Sequence, residues 1–266
     1  MRCLRLACLI AATLVSGACF QMTTVLKVAG DGSGTITHRM VYSNQALAQL
    51  RQFAMFAGRG GADGTAPFDP LSEQQARDMA SSIGSGVTYV SSSPITEPAG
   101  QGRESIYSFT DISTLRISTQ PAAPGNLPIN ASQLGGSESI TFALSPAESG
   151  NVVLHIFVPE PNFLGALGSP QAQAQIGMVK AMLAGAKVQL TAEPVGTLAR
   201  TSSPYVDGQR VTLLEIDLDQ VLKDDTLLPR LAAAKTPEEA KTIVQGAQGL
   251  KMNLDHDITI EFTPAK

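Results

Sequence analysis

Tryptophan is absent from this 266-residue chain, and its other aromatics are four tyrosines and nine phenylalanines. Surfaces that stack on bases or sugar rings need more aromatic area than this, which argues against a single-strand-binding or sugar-binding protein. Histidine occurs three times, with no H-x-x-x-H or H-x-x-E-H pair to hold zinc, and no serine stands in a G-x-S-x-G elbow. Basic clusters are missing too. Lys+Arg number 19 against 23 Asp+Glu, a net charge of −4 that suits neither nucleic acid nor electrostatic docking on anionic lipid. The three cysteines, Cys3, Cys8 and Cys19, all lie within the first 19 residues, so the rest of the chain can form no disulfide.

Where the cysteines lie, the chain does carry a signal. Arg2 and Arg5 precede an apolar run from Leu6 to Val15, and Ser16-Gly17-Ala18 lead into Cys19. This is the layout of an export signal. The run is about ten residues, whereas a spanning helix needs roughly 20, so a permanent membrane helix is not expected. Ser16 and Ala18 suit ordinary signal peptidase as well, and the small residues alone do not choose between secretion and lipidation. Cys19 does: a secreted domain avoids a lone reactive thiol, and one placed directly after a cleavage signature points to acylation. The expectation is a signal peptide over residues 1–18, cleavage between Ala18 and Cys19, and lipidation of Cys19. The mature chain, 19–266, then has 17 basic and 23 acidic side chains, a charge of −6.

That mature chain reads as one α+β extracytoplasmic domain, built on a mainly antiparallel, curved β-sheet with several packed helices. "MTTVLKVAGDGSGTITHRMVY" predicts a β-hairpin. Met22, Thr24, Leu26 and Val28 share one face of its first strand, Ile36, His38, Met40 and Tyr42 one face of its second, and Gly30 to Gly34 form the turn. No G-x-x-x-x-G-K follows, so this glycine cluster is no phosphate loop, and Asp31 and Ser33 lack the acidic spacing of a calcium loop. Helices are expected from Asn44 to Ala57, with Asn44 as N-cap, from a Ser72–Gln75 capping box, over Pro170–Ala184, and from Thr236-Pro237-Glu238-Glu239. Strands are expected around 86–92, 104–112, 138–144 and 151–158, from Lys187, after "SPYVDGQRV", and over "LDHDITIEF". Residues 120–137 read as a long surface loop, within which Asn130-Ala131-Ser132 matches a sequon that a bacterial lipoprotein has no reason to use.

No catalytic or cofactor-binding set emerges, and no metal site is assigned. His38 and His256 fall on the apolar faces of predicted strands and His155 lies within "VVLHIFV", which suits core imidazoles better than ligands or bases. Two acidic faces stand out: Glu215, Asp217 and Asp219 along one strand, with Asp219 placed to cap a short helix, and Asp255, Asp257 and Glu261 along another. If adjacent, they would repel unless calcium or a basic partner relieved them; the plainer reading is two separate solvated faces. Only Phe20 and Gln21 separate Cys19 from the expected first strand, so the domain should sit against the bilayer, with Phe163, Leu164 and Leu167 of "PNFLGALGSP" as candidate membrane-touching or lid residues.

The lipobox, the immediate "DGSGT" hairpin and the tract "AKVQLTAEPVGTLARTSSPYVDGQRVTLLEIDLDQVL" together resemble a group of bacterial envelope lipoproteins, most closely over residues 19–42 and 178–262. The box departs from the usual pattern in having Ser16 where leucine is preferred. The resemblance implies a shared fold, a diacylated or triacylated Cys19 and an envelope location, and it brings no activity. Phe20 follows the cysteine in place of the aspartate that retains some lipoproteins on the inner membrane, which favours the outer membrane where the host has one. The hairpin is also similar to that of LppM-like lipoproteins, which are linked to lipid binding; no functional residue follows from that likeness. The expected function is a membrane-anchored, non-enzymatic envelope binding or structural module. Binding or transfer of a lipid or other apolar ligand is the first alternative, an enzyme of unknown class the second. Expected partners are the membrane, through the acylated N-terminus, and an envelope protein or lipid.

Overall fold

The computed structural model describes residues 20–49, 51, 69, 71–98, 100–118, 139–147, 150–159 and 185–265. The long loop 120–137, the Pro170–Ala184 helix, the 161–170 segment and the lipobox lie outside them. The chain enters β1 (Phe20–Val28) and returns along β2 (Gly34–Ser43). Asp31 closes the turn between them, its Oδ1 accepting from Ser33 Oγ at 2.7 Å and Ser33 N at 2.9 Å, and these bonds pull its carboxyl below the usual carboxylate range. Gly32 has φ +85, a left-handed conformation that costs a side-chain-bearing residue about 1–2 kcal/mol.

Residues 44–49 are helical, and the cap is one residue earlier than expected: Ser43 Oγ accepts from Ala46 N at 3.1 Å. Helix α1 (Glu73–Ile83) begins where its capping box predicts, with the Ser72 side chain accepting from Gln75 N. Then come β3 (Thr88–Glu97) and β4 (Gly100–Phe109), β5 (Ile117–Ser118), β6 (Ser139–Pro146), β7 (Val152–Phe157), β8 (Lys187–Pro194), β9 (Gly196–Thr201), β10 (Val206–Asp207) and β11 (Arg210–Asp217). Short helices α2 (Leu218–Val221), α3 (Leu227–Ala233) and α4 (Pro237–Gln245) precede β12 (Leu250–Met252) and β13 (Asp257–Pro264).

Among the described residues these strands form two sheets. The larger runs β10-β11-β8-β1-β2-β4-β3, with β12 also paired to β11; the smaller runs β5-β6-β7-β13-β9. Strands dominate the fold and neither sheet closes, so the α+β expectation holds in its coarse form, with strand content above what was expected. Pairing is antiparallel except between β1 and β8, which run parallel in the middle of the larger sheet. A parallel pair cannot be closed by a tight turn and needs a long crossover. Here that crossover contains β2, β3 and β4 of the larger sheet and β5, β6 and β7 of the smaller.

The two sheets share one apolar core. Leu26, Ile36, Tyr107 and Leu190 of the larger sheet and Phe142, Leu154, Ile156, Ile260 and Phe262 of the smaller belong to a single cluster of buried side chains. Each fully buried residue of this kind contributes roughly 1.5–3 kcal/mol relative to exposure. Tyr107 also holds α1 on the sheet: its hydroxyl donates to the Ala76 carbonyl at 2.9 Å, and its ring meets Tyr89 edge-on at 6.2 Å. A second cluster lies beyond β11, where Val221, Leu227, Leu231 and Val244 of the helices pack on Ile216, Leu250, Met252 and Leu254. Thr236 caps α4 as its sequence predicts, accepting from Glu239 N at 3.2 Å. The cap of α2 is Asp217, which accepts from Gln220 N; the expected Asp219 accepts instead from Gly185 N.

Candidate functional site

Among the described residues three places carry chemistry beyond packing. The first is the start of β1. Phe20 stands in register with Tyr42, and from Gln21 onward β1 has β2 on one side and β8 on the other. Ala18 and Cys19 lie outside the described residues, but the peptide bond places Cys19 next to Phe20. Among the described residues no helix is long and apolar enough to cross a membrane.

The second is a polar row across the core-facing side of the larger sheet. His38 on β2 is opposed by Thr24 on β1 and Ser105 on β4, and both neighbours are buried. Thr24 Oγ1 lies 2.9 Å from His38 Nδ1, while His38 Nε2 is buried with no hydrogen-bond partner. Burial favours the uncharged ring and lowers its pKa from 6.5 to about 4, so His38 is neutral at neutral pH. The expectation of a core imidazole holds for His38, with one ring nitrogen satisfied and the other not.

The third was not legible from the sequence. Ser145 on β6, His155 on β7 and Asp257 on β13 form a relay on the side of the smaller sheet away from the core, where their neighbours Leu154 and Ile156 point the opposite way and are buried. As a carboxylate Asp257 can only accept, so in the neutral ring His155 Nδ1–H donates to it at 3.2 Å and Nε2 accepts from Ser145 Oγ at 3.2 Å. The Phe157 ring stacks on His155 at 6.2 Å. The order Ser–His–Asp is that of a hydrolytic triad, and no sequence motif announces it because the residues come from three strands in diagonal register. A hydrolase also needs donors aimed at the developing oxyanion. Around the relay β7 is paired on both edges, whereas β6 at Ser145 and β13 at Asp257 are each paired in the ladder to β7 alone. The relay's hydrogen bonds tie β6, β7 and β13 together across the sheet.

His155 is therefore partly exposed, and the expected core role is corrected by the strand's alternation. His256 is corrected as well. It shares the parity of Ile258 and Ile260 but precedes the ladder, so it is exposed, with Nδ1 2.9 Å from the Val158 carbonyl.

The acidic faces are not adjacent, since β11 lies in the larger sheet and β13 in the smaller. Their carboxylates have separate partners: Glu215 with Lys251 at 3.1 Å, Asp217 with Lys187 at 2.8 Å, Asp255 with Lys241 at 2.7 Å, and Glu261 with Arg200 at 2.6 Å and Asn151 at 2.8 Å. Burial alone would raise the Asp217 carboxyl, but its bonds from Lys187 and the Gln220 N–H hold it below the usual carboxylate range. Among the described residues no group of three or more His, Cys, Asp or Glu side chains gathers in a way that could hold a metal ion.

No protein-family model matches the chain, and no curated protein matches it in sequence. Among solved structures it is similar to the folded domain of Mycobacterium tuberculosis LppM, determined by NMR, with 10% identity over 94% of this chain and 95% of that one and a TM-score of 0.31. This is a distant structural likeness.

Proposed function

We propose that the chain is a bacterial envelope lipoprotein, acylated at Cys19 after removal of residues 1–18, and that it acts as a non-enzymatic binding or structural module held against its membrane, the outer one where the host has two. The observation that carries this reading is the position of β1. Its first residue is Phe20, and from Gln21 it is an interior strand of the larger sheet, so an acyl group on Cys19 leaves the domain no flexible tether. Such an arrangement suits a module whose partner is another envelope component at the same membrane. Fractionation of cells expressing wild type and Cys19→Ser tests it: wild type should stay with membranes through a high-salt wash, and the variant should move to the soluble fraction. Identical fractionation of the two removes the anchor.

A second reading, binding of a lipid or other apolar ligand, is favoured by His38 Nε2. An unpartnered polar atom on the apolar side of the sheet is the kind of handle an amphiphile's hydroxyl or ester would engage. Native mass spectrometry of a soluble version starting at Gln21, exported into a periplasm and purified without detergent, distinguishes the two. A reproducible added mass released as lipid supports the carrier, and an unchanged apo mass after exposure to envelope lipid extract supports the interaction module.

A further inference from the structure

The strands of the larger sheet stop together at the end where β1 begins. The rung through Gln21 crosses six of them, pairing Asp217 with Lys187, Lys187 with Gln21, Gln21 with Val41, Val41 with Gly102, and Gly102 with Ile95. Beyond this rung β1 extends to Phe20, β2 to Ser43, β4 to Gly100 and β3 to Glu97, while β8 and β11 stop on it. Six strands spaced by about 4.8 Å make a blunt end roughly 24 Å wide. Within the row, β1 stands third from the β11 side.

We propose that this blunt end, together with the adjoining helical turn at 44–49, is the surface that rests on lipid headgroups, and that the opposite end of the sheet faces away from the membrane. The inference rests on the anchored reading of Cys19 and adds to it the orientation of the domain. A lipid attached next to Phe20 pulls on the middle of the row, so the domain is held end-on instead of hanging from a corner. The pull passes directly into β1, whose backbone is bonded to β2 and β8. At its far end β1 is tied in turn: Val28 O accepts from Val195 N at 2.7 Å, and Val195 O accepts from Ala265 N at 3.1 Å. The nine residues of β1, at about 3.3 Å each, put Val195 roughly 30 Å from the blunt end.

Charge on the blunt end is internally neutralised. Lys187 lies beside Asp217 and Asp219, Glu97 pairs with Arg39, Arg51 follows the helical turn, and the exposed Asn44, Gln45, Thr96 and Pro98 are uncharged, so acidic and basic groups balance. Contact with headgroups is then maintained by the acyl chains and not by Coulomb attraction, and it should be insensitive to salt and to anionic lipid.

The absence of tryptophan from the chain provides the test. The mature chain beginning at Cys19, produced without acylation, is coupled through its single thiol to a short-linker maleimide lipid in phosphatidylcholine vesicles containing a nitroxide-headgroup lipid. A sole tryptophan is introduced near the blunt end by Gln45→Trp or Thr96→Trp, or at the opposite end by Val195→Trp, and each variant is checked for its fold by circular dichroism and melting. The expected result is several-fold stronger quenching for Gln45→Trp and Thr96→Trp than for Val195→Trp, unchanged by added salt, with Val195→Trp matching uncoupled protein mixed with the same vesicles. Equal quenching at the two ends, or stronger quenching at Val195→Trp, overturns the proposal. Because the lipid is attached chemically, this outcome is independent of whether cells acylate Cys19, and a failure of the anchored reading is told apart by the mass of the native protein.

Discussion

Phe20 pairs with Tyr42 across the β1–β2 ladder, so the residue that follows Cys19 is already part of a hydrogen-bonded sheet. Lengthening this junction should therefore change the behaviour of the domain without changing its fold. Inserting a flexible Gly-Ser linker of about ten residues between Cys19 and Phe20 gives a root-mean-square reach of roughly 17 Å. We expect the melting temperature to be unaltered and proteolysis next to the anchor to become much faster than in wild type; equal cleavage rates would indicate that the native junction is already loose.

His38 should make stability depend on acidity. Its folded pKa, about 4, lies below the 6.5 of an unfolded chain, so protonation favours the unfolded state. Above pH 6.5 the ring is neutral in both states and costs nothing. Between pH 6.5 and 4 stability should fall, by roughly 3 kcal/mol at most if the full difference is expressed. Urea melts at pH 7 and pH 5 should show a loss in wild type that is clearly smaller in His38→Gln, whatever the absolute stability of that variant.

Tyr107 joins helix to sheet through one hydroxyl. Tyr107→Phe keeps the ring and its edge contact with Tyr89 but removes the bond to Ala76 O. The expected cost is about 1 kcal/mol. Hydrogen exchange should accelerate in α1 before it does in β6 or β7, and a uniform acceleration would show that the hydroxyl does not act locally.

Two glycines with similar positive φ should respond differently to alanine. Gly249 has φ +78, and a Cβ there would lie 2.3 Å from Gln220 Cβ and 2.9 Å from Asp217 O, whereas Gly208 has φ +60 and open space around it. Gly208→Ala should cost only the backbone preference, about 1–2 kcal/mol. Gly249→Ala should cost more, because α2 must also shift; denaturant midpoints decide it.

The relay of Ser145, His155 and Asp257 is expected to support structure and not turnover. A fluorophosphonate probe should leave Ser145 unlabelled, and activated esters should be cleaved no faster by wild type than by Ser145→Ala. Labelling that disappears in His155→Ala would instead establish a nucleophile.

Local signals in the sequence were reliable where they concern neighbours in the chain. Gly30 to Gly34 marked the hairpin, Ser72 and Thr236 marked two helix starts, and alternation marked β11 and β13. Hydrogen bonds between residues two to four positions apart decide such features, so the sequence carries them directly. Long-range pairing is decided otherwise. Gln21 and Lys187 are brought together by the packing of two apolar faces, and no local pattern specifies a parallel partner so far along the chain. The same limit hid the relay, whose three residues meet only once β6, β7 and β13 are in register. It also explains His256, which has the parity of a core residue but lies one position before its strand begins.

The most direct measurement is the intact mass of the protein extracted from membranes of the native host or a close surrogate, together with tandem sequencing of its N-terminal peptide. The account predicts a mature chain beginning at Cys19 that carries a thioether-linked diacylglycerol, with or without a further N-acyl chain, and complete loss of that species in Cys19→Ser. A mature protein recovered without acyl mass, or one cleaved at another position, would contradict it.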